Sequence, residues 1–186
     1  MEECIFYREW LHLPKEQFNI LAMIAASGGE YRGNLTDICN YLSVTPQSRN
    51  RNRIRNALNS LKSDNWIDWG NDGRTQMLSV APKATEISLP LEWVDLVIKH
   101  KYAREVAWAN VLKLYIWIIC NKGDKSTNKE IAASLGVSET TVCSAKNVLE
   151  KEFGIITKRN ISVRCFDGFR SIGQILEASA LWNNIE

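Results

Sequence analysis

The stretch STNKEIAASLGVSETTVCSAKNVL, residues 126–149, decides the fold of this chain, because it combines two helix starts with one helix stop. Thr127 can cap a first helix, since Glu130 stands three residues later, at the spacing of a capping box. Gly136 can take the positive φ that ends this helix. Ser138 can then cap a second helix. The stretch therefore predicts two short helices joined by a tight turn.

The apolar residues of this stretch recur at spacings of three and four, which places them on the inner side of each helix. They are Ile131, Leu135, Val137, Val142, Ala145 and Leu149. Ala132 is small at the point where the second helix must cross the first. This pattern resembles the helix-turn-helix of bacterial DNA-binding proteins, which implies that the second helix lies in a DNA groove. A capped helical hairpin in another all-α fold is the alternative.

An earlier part of the chain repeats the motif. Ile38, Leu42 and Val44 have the spacing of the first inward residues of the later motif, and Asn34 can cap their helix. Residues 45–53 then insert five extra positions before the next inward residue. The sequence therefore predicts a second helix-turn-helix with a different entry into its second helix.

Each motif is followed by a predicted β-hairpin. The turn cluster Gly-Asn-Asp-Gly at 70–73 separates two segments with strand character. In the second half, residues 154–166 predict two short strands that meet at Arg159 and Asn160. Helices followed by a hairpin have the order of a winged helix, so the chain resembles two such domains.

The predicted fold class is mainly α with small β-hairpin wings, built as two winged-helix domains in tandem. The first domain is expected at 1–80, and 81–90 reads as a linker because it has two prolines and no periodicity. The second domain is expected at 91–186, with a long core helix over 103–120. A terminal amphipathic helix over 171–182 is expected to close it.

Composition limits the classes of protein that remain. The chain has 186 residues, a net charge of +2 and five scattered cysteines without a CxxC pair. This cysteine usage is typical of a reducing cytoplasm and argues against a disulfide framework or a zinc ribbon. No basic segment precedes an apolar run at the N-terminus, and the longest apolar run, 114–120, is too short to cross a bilayer. We therefore expect a cytoplasmic protein without a membrane partner.

The strongest charge signal is RNRNRIRNALNSLK, residues 49–62. Residues 1–80, which include this stretch, carry nine basic and nine acidic side chains. No acidic residue lies between Asp37 and Asp64. Arg and Lys displace the counterions of DNA phosphates, and interleaved Asn and Ser can donate further hydrogen bonds. A solvated basic face without a partner is the alternative. The DNA-binding candidates of this half are Arg49, Arg51, Arg53, Arg55 and Lys62, with Arg74 from the hairpin.

The second motif carries fewer charges. Its outward positions offer side chains that can hydrogen-bond base edges, whereas Glu139 would repel phosphates. The hairpin adds positive charge that can meet the DNA backbone. A protein contact instead of a DNA contact is a serious alternative for this half. The candidate residues are Thr140, Ser144, Lys146, Asn147, Lys158 and Arg159.

Signals of catalysis are weak. His12 and His100 are the only histidines, and neither stands near a nucleophile pattern. The sequence has no phosphate-binding GxxxxGK[ST] loop, no GxGxxG after a strand and no HExxH helix. Acidic residues are dispersed, without the clusters that a two-metal nuclease needs. We therefore expect no enzyme activity, no cofactor and no metal.

Tandem winged helices in a small chain resemble two families. One comprises replication initiators of plasmids and phages, including replisome organisers, in which a Leu-Pro-led helix often precedes the first motif, as Leu13-Pro14 does here. The other comprises winged-helix transcriptional regulators. Either resemblance implies double-stranded DNA as the partner, with a replication or transcription protein as a possible second partner. A protein-interaction adaptor is the alternative from another class. The apolar stripe of 171–182 either covers the helix predicted at 103–120 or forms a homodimer contact.

Overall fold

The computed structural model describes residues 2–102, 106–165 and 168–178. The chain forms two compact units, residues 1–99 and 100–186. About 50% of it is helical and 27% is strand, in three small antiparallel sheets. The expectation of a mainly α protein with small wings is therefore wrong. The strand content was underestimated because several strands are too short to show alternation, and one long strand was taken for a helix.

The first unit runs through ten elements. They are β1 (Glu3–Tyr7), a 3-10 turn (Arg8–His12), α1 (Lys15–Ala26), β2 (Glu30–Gly33), α2 (Leu35–Tyr41), α3 (Ser48–Ser63), β3 (Ile67–Asp72), β4 (Thr75–Val80), β5 (Glu86–Pro90) and α4 (Leu91–Lys99). The second unit contains α5 (Trp108–Cys120), β6 (Lys125–Ser126), α6 (Asn128–Leu135), α7 (Glu139–Asn147), a π-helical turn (Val148–Glu152), β7 (Ile156–Cys165) and β8 (Gly168–Ala178).

The two units share one topology. In each, a helix is followed by a short strand, two helices and a hairpin, and the last strand of the hairpin lies in the centre of a three-stranded sheet. The strand orders are β2-β4-β3 and β6-β8-β7. The outer strands β2 and β6 were missed, since four and two residues give no periodic signal. This shared order is compatible with the pair of winged helices that the sequence predicts.

The first unit buries one face of each helix around α1. Phe18, Leu21 and Ile24 of α1 are fully buried, and α3 packs against both α1 and α2. A second sheet pairs β1 with β5 in antiparallel register from Glu3–Pro90 to Tyr7–Glu86. Residues 81–90, predicted as a linker, therefore include a strand of the first unit. The compact units divide after Lys99 instead.

The two short helices and the tight turn predicted from residues 126–149 are confirmed in their main features. Thr127 and Glu130 form the predicted capping box, with each side chain bonded to the other's backbone N–H. Gly136 takes φ 65°, and the Ser138 hydroxyl accepts a hydrogen bond from the backbone N–H of Thr141. All of the predicted inward residues are buried except one. Val137 is only half-buried, because it lies in the turn itself.

In the first unit, Asn34 forms the predicted cap, and its side chain accepts from the backbone N–H groups of Thr36 and Asp37. Val44, however, is 37% exposed, so the prediction that it faces inward is wrong. The extra residues 45–53 lengthen both the loop and the start of α3, which carries the chain away from the core at Val44. Asn50 fixes this loop by donating to the Thr45 carbonyl at 2.8 Å.

The end of the chain departs most from expectation. Residues 171–178 belong to strand β8, so the predicted helix over 171–182 is wrong there, and 179–182 lie outside the described residues. The spacing of Ile172 and Ile175 fitted a helix, but pairing with the ten-residue β7 favours the strand. Arg159 and Asn160 lie within β7, not at a turn. The helix predicted at 103–120 begins at Trp108, and 103–105 are also outside the described residues.

Candidate nucleic-acid interface

Helix α3 separates apolar from basic residues around its axis. Its buried face contains Ile54, Ala57, Leu58 and Leu61, at the spacings of three and four that bring residues onto one side of a helix. The arginines of this helix fall on the remaining surface. No acidic residue lies between Ser48 and Ser63, so no side chain within the helix neutralises them. The fold therefore presents a strongly basic helical face to solvent.

A cleft of about 920 Å³ lies between this face, the start of α2 and the β3–β4 hairpin. Arg51 and Arg55 stand four residues apart on α3 and line it together, and Arg74 enters from the hairpin. Among the residues that the structure describes, none forms a salt bridge with these three arginines. No carboxylate belongs to the described lining of the cleft. The arrangement is suited to a phosphate backbone, because three cations converge without an internal counter-charge.

The other predicted residues of α3 have different surroundings. Arg53 donates to the Glu16 carboxylate of α1, so part of its charge is compensated within the unit. Lys62 donates to the Trp69 carbonyl at 2.9 Å, which links the end of α3 to the hairpin. Arg49 is exposed on the side of α3 that does not line the cleft. None of these three residues therefore belongs to the described lining of the cleft.

The hairpin holds its side of the cleft through a chain of hydrogen bonds. The Trp69 indole N–H donates to the Gln76 side chain at 2.8 Å, and the Gln76 amide donates to the Arg74 carbonyl at 3.2 Å. Gly73 turns the hairpin with φ 61°. Because Gln76 is almost fully buried, this chain fixes the backbone that carries Arg74. The guanidinium group of Arg74 is thus presented from an ordered turn.

Several lining residues were missed at the level of sequence. Asn34 and Asn71 add amide groups to the cleft, and Trp69 and Gln76 form its hairpin wall. These residues come from three separate elements and share no local motif. Asn52, which accepts from Arg55 at 3.1 Å, is one of the interleaved asparagines that the basic stretch itself displays. Only that last signal was available before the fold was known.

The candidate residues of the second unit differ from one another in their exposure. Thr140 and Asn147 are exposed on α7 and Ser144 is half-buried, so all three can still meet a ligand. Lys146 is different, because it is only 7% exposed and its ammonium group points into the unit. The sequence placed Lys146 beside the outward residues, and this orientation is wrong. Hydrogen bonds to α6 and β8 hold its side chain inward.

Lys146 joins three elements through its ammonium group. It donates to Asn128 of α6 at 2.6 Å and to Gln174 of β8 at 2.9 Å, and the Gln174 amide donates to Asn128 at 2.6 Å. Burial is the main cause that lowers the pKa of Lys146, and the charge of Lys158 adds to the effect. This network links α6 and α7 to β8, the central strand of the three-stranded sheet.

The remaining candidates, Lys158 and Arg159, are both exposed on strand β7. They are neighbours in an extended strand, so their side chains point to opposite faces of the sheet. The sequence therefore identified two exposed cations but could not place them on one surface.

Among the described residues, no group of three or more His, Cys, Asp or Glu side chains could hold a metal ion. The described helices include none of the length and apolar character that a membrane span requires. Comparison of the chain with protein-family models and with curated proteins gives no match.

Proposed function

We propose that this protein binds double-stranded DNA without catalysis, and that the α3–hairpin cleft of the first unit is its main binding site. The observation that carries the proposal is the convergence of Arg51, Arg55 and Arg74 on a cleft whose described lining has no carboxylate. Three cations in this position would normally be neutralised by nearby acids if their role were structural. A polyanion is the ligand that fits them, since it brings several phosphates at regular spacing.

The topology of the unit supports duplex DNA over a smaller anion. The N-terminal turns of α3 extend beyond its buried residues, and the hairpin stands beside them, as in a winged helix. A helix of this kind fits the major groove, while the neighbouring hairpin can follow the backbone.

We propose a replication initiator of a phage or mobile element as the setting, with a transcriptional regulator as the alternative. The scattered cysteines, none of them in a CxxC pair, support a cytoplasmic location.

The test is a titration of the whole protein with random duplex at several salt concentrations. Replacing Arg51 and Arg55 by Ala should weaken binding to every sequence and flatten the salt dependence by about one unit for each lost phosphate contact. A matched control replaces Arg8 and Arg32, which are exposed and outside the cleft, and removes the same charge. The control should bind like the parent.

Two outcomes would contradict the proposal. A parent protein that binds no duplex excludes DNA as its ligand and favours a protein-interaction adaptor. Equal losses in the cleft variant and in the matched control would show that general charge, and not the cleft, attracts the DNA.

A further inference from the structure

The β7–β8 hairpin of the second unit is longer than the hairpin of the first. The strands have ten and eleven residues, whereas β3 and β4 have six each. The third strand, β6, pairs only with Gln174 and Ile175, so the hairpin beyond Gly173 is a two-stranded ribbon. A Cβ atom at Gly173 would lie 3.1 Å from the Lys125 side chain, and its φ of 150° also favours glycine. The two-stranded ribbon therefore begins at Gly173 of β8, next to the residue where β6 ends.

Alternate residues of β7 form a polar surface on one face of the β7–β8 hairpin, with two members at the base of the ribbon and two within it. The register shifts between Ile161 and Ser162, but the extra residue lies in β8, so the alternation of β7 continues across the shift. We call this surface the polar row, and its members are Lys158, Asn160, Ser162 and Arg164. All four are exposed, none is acidic and each can donate hydrogen bonds. With about 3.3 Å per residue, the row is roughly 20 Å long, which matches about six base pairs at roughly 3.4 Å each.

The register of the sheet shows which way the polar row faces. Asn160 lies opposite Gln174 and Lys158 lies opposite Leu176, and directly opposed residues share a face. Gln174 is hydrogen-bonded to Lys146 of α7. The charge of Lys158 also lowers the pKa of Lys146, which places the two ammonium groups near each other. The row therefore lies on the side of the sheet that is turned toward α7.

Helix α7 itself offers no exposed cation to phosphates. Its one lysine, Lys146, is bonded inside the unit, and its first turn carries Glu139. In the first unit helix α3 carries exposed cations, whereas in the second unit α7 has none and strand β7 carries Lys158 and Arg164. This difference was hidden in the sequence, where Lys146 counted among the outward residues.

We infer that the second unit binds the DNA backbone through the polar row of its ribbon, while α7 beside it contributes no exposed cation. This inference rests on the proposed function of the first unit. A two-stranded ribbon is narrow enough to enter the major groove. Lys146 acts as a positioning residue, because its bonds to Gln174 and Asn128 fix the base of the ribbon against the helices.

The experiment compares the parent with three variants of the full chain in duplex titrations at several salt concentrations. The row variant, Lys158→Gln with Arg164→Gln, should bind several-fold more weakly at low salt and lower the salt slope by about two units. The matched control, Lys122→Gln with Lys151→Gln, removes the same charge from exposed positions of the second unit outside the row. It should keep the slope of the parent. A third variant exchanges the two cations, Lys158→Arg with Arg164→Lys, and so keeps both charges. It should bind like the parent if the row variant is weakened by its loss of charge.

The outcomes separate the two proposals. If the parent depends on Arg51 and Arg55 but the row variant binds like the parent, the ribbon is not a DNA contact and the proposed function stands. Equal slope losses in the row variant and its control also overturn the inference. A parent that binds no duplex overturns both. Thermal melts followed by circular dichroism confirm that each variant is folded, which these exposed substitutions should not prevent.

Discussion

Basic residues of this chain differ in role according to the groups that surround each side chain. Arg51 and Arg55 reach an open cleft, whereas Arg53 is paired with Glu16 of a neighbouring helix. Lys146 lies almost completely inside its unit, where two side-chain oxygens replace the water that its ammonium group would otherwise bind. Positive charge in a sequence therefore marks a candidate, and its surroundings decide what the charge can do.

Lys113 provides a prediction at this scale. It is 3% exposed in α5, and burial lowers its pKa from 10.5 to about 8. Below about pH 8 the charged form is destabilising in the folded state. Between pH 8 and 10.5 the unfolded chain binds the proton more strongly, so the contribution of Lys113 to the free energy of unfolding should rise with pH. The slope is at most about 1.4 kcal/mol per pH unit.

The measurement compares the parent with Lys113→Met by chemical denaturation from pH 7 to 10. The parent should gain stability relative to this variant as the pH increases, because only the parent releases the proton of Lys113. The corresponding difference for Lys122→Met, at an exposed position, should stay constant. A constant difference for Lys113→Met as well would contradict the burial that causes the shift.

At the scale of elements, the turn between α6 and α7 depends on Gly136. Residues with a branched Cβ rarely adopt its φ of 65°. A Cβ atom at this position would meet no atom within 4 Å, so a substitution would strain the backbone without a steric clash. Gly136→Val should therefore destabilise the protein by about 1–3 kcal/mol through backbone strain alone. Gly136→Asn should cost less, since Asn tolerates the left-handed region. Urea denaturation measures both, and equal stability of the parent and the Val variant would mean that the turn differs from the one described.

The hairpins illustrate what element-level patterns can and cannot predict. The β3–β4 hairpin predicted from the cluster at 70–73 is present, but its turn lies later than predicted. Gly70, Asn71 and Asp72 belong to β3, and the chain reverses at Gly73 and Arg74, where Gly73 takes φ 61°. The second hairpin has no comparable cluster between Arg159 and Asn160, and the strand continues through them to Cys165. For residues 171–178, a helical spacing of apolar residues was outweighed by hydrogen bonding to a long partner strand.

At the scale of the whole molecule, the first unit requires residues beyond the hairpin. Strand β5 pairs along its entire length with β1, and Ile87, Leu89, Trp93, Val94 and Val97 are buried. A fragment ending at residue 99 should thus unfold cooperatively, whereas one ending at residue 80 loses all of these side chains. Since each contributes about 1.5–3 kcal/mol, the shorter fragment should lose most or all of its stability.

Thermal melts of the two fragments, 1–99 and 1–80, test this prediction. The longer fragment should also bind duplex DNA, more weakly than the whole chain if the second unit contributes a linked contact. Cooperative unfolding of 1–80 at the temperature of 1–99 would show that β5 and α4 are dispensable for the unit.

The sequence by itself determined the local features of this protein. Features that depend on neighbouring residues in the chain could be predicted from their sequence patterns. They are the helix caps, the positive φ of Gly136, the inward residues of α6 and α7, and the basic stretch of α3. The tertiary structure alone decided which cations are free, which strands β2, β5 and β6 pair with, and that residues 171–178 form a strand. These outcomes depend on partners distant in sequence. The burial of Lys146 against Asn128 and Gln174 is one example, since no local pattern encodes a contact across 18 or 28 residues.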